Sequence, residues 1–153
     1  MLFGRVGLAF VLCYAVGFER ALRGSPAGDR TYSLVGTAAA AITAVTVTAA
    51  PQAIGGVVTG IGFIGAGLVL RGDRGMIRGM TSAAALFAST GIGVVAGTGH
   101  HWLAAFVALL TIVDLEVRHT PGLNRLDAHR YAHRMTEDAE YASPEVPPDA
   151  PGL

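Results

Sequence analysis

AIGGVVTGIGFIGAGLVL, residues 53–70, contains six glycines and not one charged residue. A helix that crosses a bilayer needs roughly 20 predominantly apolar residues, with a working range of about 17–25, and this stretch reaches it. A core helix of a soluble domain would instead carry a polar face repeating every 3.6 residues, and none is present here. Four more stretches of similar length flank it, at about 2–18, 32–50, 80–98 and 101–117. The segments at 32–50 and 80–98 are also uncharged. The first holds Arg5 near its start, where a long side chain reaches the interface, and the last holds Asp114 and Glu116 near its end. The expected fold is all-α: a polytopic membrane protein with about five transmembrane helices, formed by residues 1–118. The first segment has one basic residue ahead of it and no clear small-residue cleavage site, so it reads as a span and not as a signal peptide.

Composition agrees. Of 153 residues, 52% are hydrophobic and 14% charged, against roughly 25% charged in a soluble domain. The formal net charge is zero, which argues against a nucleic-acid partner, since phosphate binding needs a basic surplus. The lone cysteine, Cys13, cannot form an internal disulfide and reads as a small buried residue. No nucleophile–base pair, metal-ligand spacing or phosphate loop stands in a credible context, so neither an enzyme nor a cofactor is expected. Residues 60–65, GIGFIG, match the dinucleotide pattern GxGxxG, but that pattern needs a strand before it and a soluble helix after it.

Orientation follows from the arginines. Arg20, Arg23 and Arg30 follow the first span, Arg71, Arg74 and Arg78 the third, and Arg118, Arg125, Arg130 and Arg134 the fifth. Cytoplasmic segments carry the excess of basic residues, so the N-terminus is expected outside and the C-terminus in the cytoplasm. The tail, 119–153, is short, polar and rich in proline, and reads as largely disordered.

Helices associate in lipid through small residues that let their backbones approach. Gly56 and Gly60 form a GxxxG spacing, followed by Gly62, Gly65 and Gly67, so the third helix is expected at the centre of the bundle. The expected site lies at the cytoplasmic helix ends. Glu19 and Arg20 close the first helix, Asp29 or Thr31 caps the second, and Thr81 caps the fourth beside Ser82. With Arg30 and Asp114 these groups are expected at one depth. Glu19 reads either as the partner of an arginine or, with Asp114, as a weak ligand for a hard cation such as Mg²⁺. His100 and His101, beside the interfacial Trp102, read as a wet loop before a metal site.

GFER at 17–20, AGDRTYSLVG at 27–36, GIGFIGAGLVL at 60–70 and GMTSAAALFASTGIGVVAGTG at 79–99 resemble, in this order, the MgtC/SapB family of bacterial inner-membrane proteins. The likeness covers about residues 10–100, and its motif positions here are Glu19, Arg20, Gly28, Arg30, Thr31, the glycines of 60–67, Thr81 and Ser82. Departures stand at Ala21, Asp29, Tyr32, Gln52 and Phe87, where the family usually has an acid, an apolar residue, a histidine, a basic residue and a tryptophan. The resemblance implies a regulatory or accessory factor in adaptation to low magnesium and in ion or energy homeostasis. It implies action through other membrane proteins such as the ATP synthase or transporters. The alternative it leaves open is a transporter or channel for Mg²⁺ or another small ion. Expected partners are the lipid bilayer and other membrane proteins, with a homo-oligomer left open.

Overall fold

Long uncharged apolar runs satisfy their backbone in lipid within a helix, and the computed structural model has five helices among its described residues. It describes residues 1–69 and 79–117. They form α1 (Leu2–Leu22), α2 (Asp29–Thr46), α3 (Gln52–Val69), α4 (Met80–Thr98) and α5 (His101–Glu116), with no strand among the described residues. The chain divides into one unit, Met1–Asp114, and a second from Leu115 onward. The expected disorder of 119–153 and the arginines of 71–78 and 118–134 lie outside the described residues.

Three helices, α1, α3 and α4, are long and apolar enough to cross a membrane. The two that fall short do so for visible reasons: α2 opens on Asp29 and Arg30 and is rich in threonine and serine, and α5 is described over 16 residues. Five of the threonines carry their own acceptor into lipid. Thr37, Thr46, Thr59, Thr90 and Thr111 each donate their hydroxyl to the carbonyl one turn back, so the polar atom is satisfied within its own helix.

The first two helices differ most from the sequence reading, and α2 also stops at Thr46, four residues short of the expected 50. The first helix runs on through Glu19 to Leu22, held by Glu19 and Arg23 one turn apart. It then closes in a Schellman turn: Ser25 N–H reaches the Arg20 carbonyl and Gly24 N–H the Ala21 carbonyl, with Gly24 at φ 68° where an L side chain would clash. The second begins at Asp29, three residues early, and its cap is Gly28. Asp29 accepts from the N–H of Arg30, and α2 has Gly28 at its cap with no side-chain cap bond, so neither Asp29 nor Thr31 serves as cap.

The core is built from α1, α2 and α4, which pack pairwise against one another, while α3 lies mainly on α4 and only lightly on α2. The expectation of a central third helix is therefore corrected. Ile61 is its one buried residue, and Gly55, Gly56, Gly60, Gly62 and Gly67 face open space. The glycines that bring backbones together lie elsewhere. A Cβ on Gly97 would sit 2.6 Å from the Ala40 carbonyl oxygen, and one on Gly93 would overlap the Gly36 carbonyl. On the other side of α2, Gly36 faces the Cys13 sulfur, whose thiol donates to the Ser89 carbonyl at 3.4 Å. At the far end Arg5 Nη1 donates to the Gly97 carbonyl at 3.1 Å, placing a cation at the negative end of α4.

Adding side chains at the α2–α4 crossing forces backbones apart, which typically costs about 1–3 kcal/mol per site. Gly93→Val and Gly97→Val are therefore expected to lower the midpoint of thermal unfolding in detergent clearly. Gly56→Val and Gly60→Val, on the open face of α3, are expected to leave that midpoint nearly unchanged in the isolated chain.

Candidate functional site

The richest polar cluster joins the end of α1, the turn after it, and the starts of α2 and α4. Its position follows from local chemistry. Gly17 lets α2 approach α1, since a Cβ there would lie 2.7 Å from the Asp29 Cα and 2.8 Å from the Tyr32 Cβ. The Schellman turn then carries Ser25 back towards α4. Ser25 Oγ lies 2.9 Å from Ser82 Oγ, Arg20 Nη2 donates to Ser82 Oγ at 3.2 Å, and the buried Tyr32 hydroxyl donates to the Ser82 carbonyl at 2.9 Å. Ser82 thus receives a group from each of α1, the turn and α2.

Glu19 supplies the counter-charge. It is 6% exposed; its Oε1 accepts from Arg23 Nε at 3.3 Å, and its Oε2 lies 3.9 Å from Arg20 Nη1. A buried carboxylate with two guanidinium groups beside it is held as an ion-pair anchor, the first of the two readings of Glu19. Its Oε2 and Arg20 Nε are both buried without a hydrogen-bond partner among the described residues. Thr43 Oγ1 and Ser89 Oγ, deeper in the α2–α4 seam, are likewise unpartnered.

Of the sequence-predicted residues, Glu19, Arg20 and Ser82 come together. Gly28 lies beside them, where a Cβ would be 3.1 Å from the Ala21 Cβ. The others do not join. Thr81 is exposed and caps nothing, because α4 starts from Gly79 at φ 89° with no side-chain cap. Arg30 and Asp114 are exposed and Thr31 is half-buried, none of them bonded to the cluster. Gly60, Gly62 and Gly67 have open space where a side chain would stand, and a Cβ on Gly65 would lie 3.7 Å from the Ala83 Cβ. Among the described residues no group of three or more His, Cys, Asp or Glu could hold a metal. His100 Nδ1 lies 2.9 Å from the Thr98 hydroxyl and both loop histidines are exposed. Sequence reading passed over Ser25 and Tyr32. A signal was present in the small-residue ladder Gly28–Tyr32–Gly36–Ala40, which puts Tyr32 on the packed face of α2.

With this geometry in place, comparison with known proteins becomes informative. The sequence profile of the MgtC family matches residues 6–121, which span the whole cluster. The chain belongs to this family. The Protein MgtC of Salmonella typhimurium is 41% identical over 109 residues, 67% of this chain and 46% of its own length. A protein of Escherichia coli K12 named "Putative magnesium transporter YhiD" is 37% identical over 128 residues, 75% of this chain and 59% of its own length. A Haemophilus influenzae protein whose name assigns no function is 32% identical over 148 residues, 88% of this chain and 61% of its own length. The chain thus spans about half to three-fifths of the length of the relatives it matches. No solved structure matches. As an MgtC-family chain with three helices apolar enough to cross a bilayer, it is a helical membrane protein.

Removing Glu19 leaves two cations facing each other, and hydrogen bonds to charged groups are worth about 2 kcal/mol each. Glu19→Gln is expected to lower the unfolding midpoint in detergent by several degrees, and Tyr32→Phe by less, while Asp114→Asn leaves it unchanged. Circular dichroism melts of the three variants check the order.

Proposed function

We propose that this chain is a regulatory, accessory membrane protein of the MgtC type. In this reading it crosses the bacterial plasma membrane five times, with its N-terminus outside and its C-terminus in the cytoplasm. It supports adaptation to low magnesium, and ion or energy homeostasis, by binding other membrane proteins. Orientation rests on the arginines, ten of eleven of which fall on one side of a five-span arrangement.

The observation that carries the partner-binding reading is the open face of α3. Five of its glycines have nothing within 4 Å of where a Cβ would stand. Small residues with no neighbour within the chain are the kind of surface on which transmembrane helices associate, because backbones can approach and make van der Waals contact. Exposed Val58, Phe63 and Ile64 flank it with apolar bulk. The carboxylate at the cluster is already engaged by Arg20 and Arg23, which favours an anchor over a cation path.

A second reading, a transporter or channel for Mg²⁺ or another small ion, draws on the name of the Escherichia coli relative and on Glu19 Oε2, which has no hydrogen-bond donor among the described residues. Initial Mg²⁺ uptake into liposomes holding the purified chain separates the two. The expected outcome is uptake no faster than in empty liposomes, together with photo-crosslinks to a partner from probes on the open side of α3 in native membranes. Saturable uptake that Glu19→Gln abolishes would favour the transporter, and an absence of crosslinks along α3 would remove the partner face.

A further inference from the structure

The rotation of α1 about its own axis is fixed from end to end. Arg5 holds the Gly97 carbonyl, the Cys13 thiol donates to the Ser89 carbonyl, Gly17 lies against the start of α2, and Arg20 reaches Ser82. The other side of the helix is thereby committed to the outside of the bundle. It carries Gly4, Gly7, Val11, Tyr14 and Phe18, all exposed and spaced alternately three and four residues apart. That alternation is the heptad spacing of the seam between two coiled helices. Tyr14 is out of place there. Its ring, 40% exposed, is stacked between those of Phe10 and Phe18, with centroids 6.0 and 6.3 Å away. Its hydroxyl has no hydrogen-bond partner among the described residues. The helix ends at Leu22, about 12 Å further along the axis at 1.5 Å per residue. Helical side chains lean towards the amino end, so the hydroxyl points back to mid-bilayer, away from the wet interface where tyrosine is at home. An unbonded hydroxyl in hydrocarbon is costly, and the fixed rotation of α1 keeps it from turning inward to a partner in its own chain.

We propose that α1 pairs in parallel with α1 of a second copy of this chain along that seam. Copies inserted with one topology carry their Tyr14 hydroxyls at the same depth, and an in-register parallel seam sets each residue against its own equivalent. One hydroxyl then donates to the other across the twofold axis, since a phenol both gives and accepts a hydrogen bond. Gly4 and Gly7 have nothing within 4 Å of where a Cβ would stand, so the two backbones can close at the amino end. Val11 and Phe18 pack on either side of the paired tyrosines. A second copy is favoured over an unrelated helix because it alone is bound to bring a hydroxyl to that height. The pairing uses α1 and not the open face of α3, and it holds whether the protein regulates partners or moves ions.

Cysteine cross-linking of the full chain in native membranes tests it. The native Cys13 is fully buried and serves as background. Val11→Cys and Phe18→Cys, on either side of Tyr14 in the seam, are each expected to give a disulfide-linked dimer of this chain under mild oxidation. Phe63→Cys, on α3, is expected to give none. Tyr14→Phe keeps the ring stack and removes only the hydroxyl. It is expected to leave the unfolding midpoint in dilute detergent unchanged. Dimerisation, read by energy transfer between labelled copies across a range of protein-to-lipid ratios, is expected to weaken about threefold, the usual size of an interhelical hydrogen bond in lipid. Four results would overturn the proposal: no dimer at either seam position in folded protein, an equal dimer at Phe63→Cys, cross-links to other proteins only, or an unchanged dimer affinity in Tyr14→Phe.

Discussion

The closeness of α2 to α4 governs most of what the rest of the protein does. Gly93 and Gly97 press against the Gly36 and Ala40 carbonyls with no side chain between. In lipid, hydrophobic burial gives helices little reason to associate, so direct backbone contact and packed dispersion carry the load. With α2 and α4 this near, α1 has one groove to enter. Cys13 fills it at mid-depth, wedged on Gly36 and bonded to α4, and Gly17 lets the start of α2 cross above. The three-helix core follows from small residues on three faces that meet.

The polar cluster is a consequence of that core. Once α1 and α4 flank α2, the last turn of α1 stands over the first turn of α4, and Arg20 has Ser82 in reach. The tyrosine on α2 completes the link by bonding the Ser82 carbonyl. Burying a carboxylate there would be unfavourable alone, but two guanidinium groups offset its desolvation. The cluster therefore ties three helices together at one end, as Arg5 ties two at the other.

Much of this was legible from residues alone, and the reasons for the rest are physical. Long apolar runs of spanning length gave the helices and their order, because a run of roughly 18 residues without apolar–polar alternation satisfies its backbone in lipid as a helix. Glu19 as an arginine's partner was readable from GFER, since an acid and bases at the end of an apolar helix must meet. The centre of the bundle was not readable. Glycine count pointed to α3, yet small residues mark an interface without saying whether its partner lies within the chain. The glycines of α4 meet α2; most of those of α3 meet nothing in the chain. Thr81 and Asp114 stand apart from the cluster for a related reason: sequence sets their height along a helix, while the direction each faces depends on how that helix is rotated in the bundle. Tyr32 was hidden because its part depends on a carbonyl 50 residues away.

Arg5 and its acceptor lie 92 residues apart in the chain. A ribosome delivers α1 to the membrane long before α4 exists, so the first helix enters carrying a guanidinium that nothing yet neutralises. Until the carboxyl end of α4 arrives, that charge has only headgroups and water to hold it, and it keeps the start of α1 at the surface. The contact that joins the amino-terminal rim of α1 to α4 therefore forms only once the fourth helix is in place.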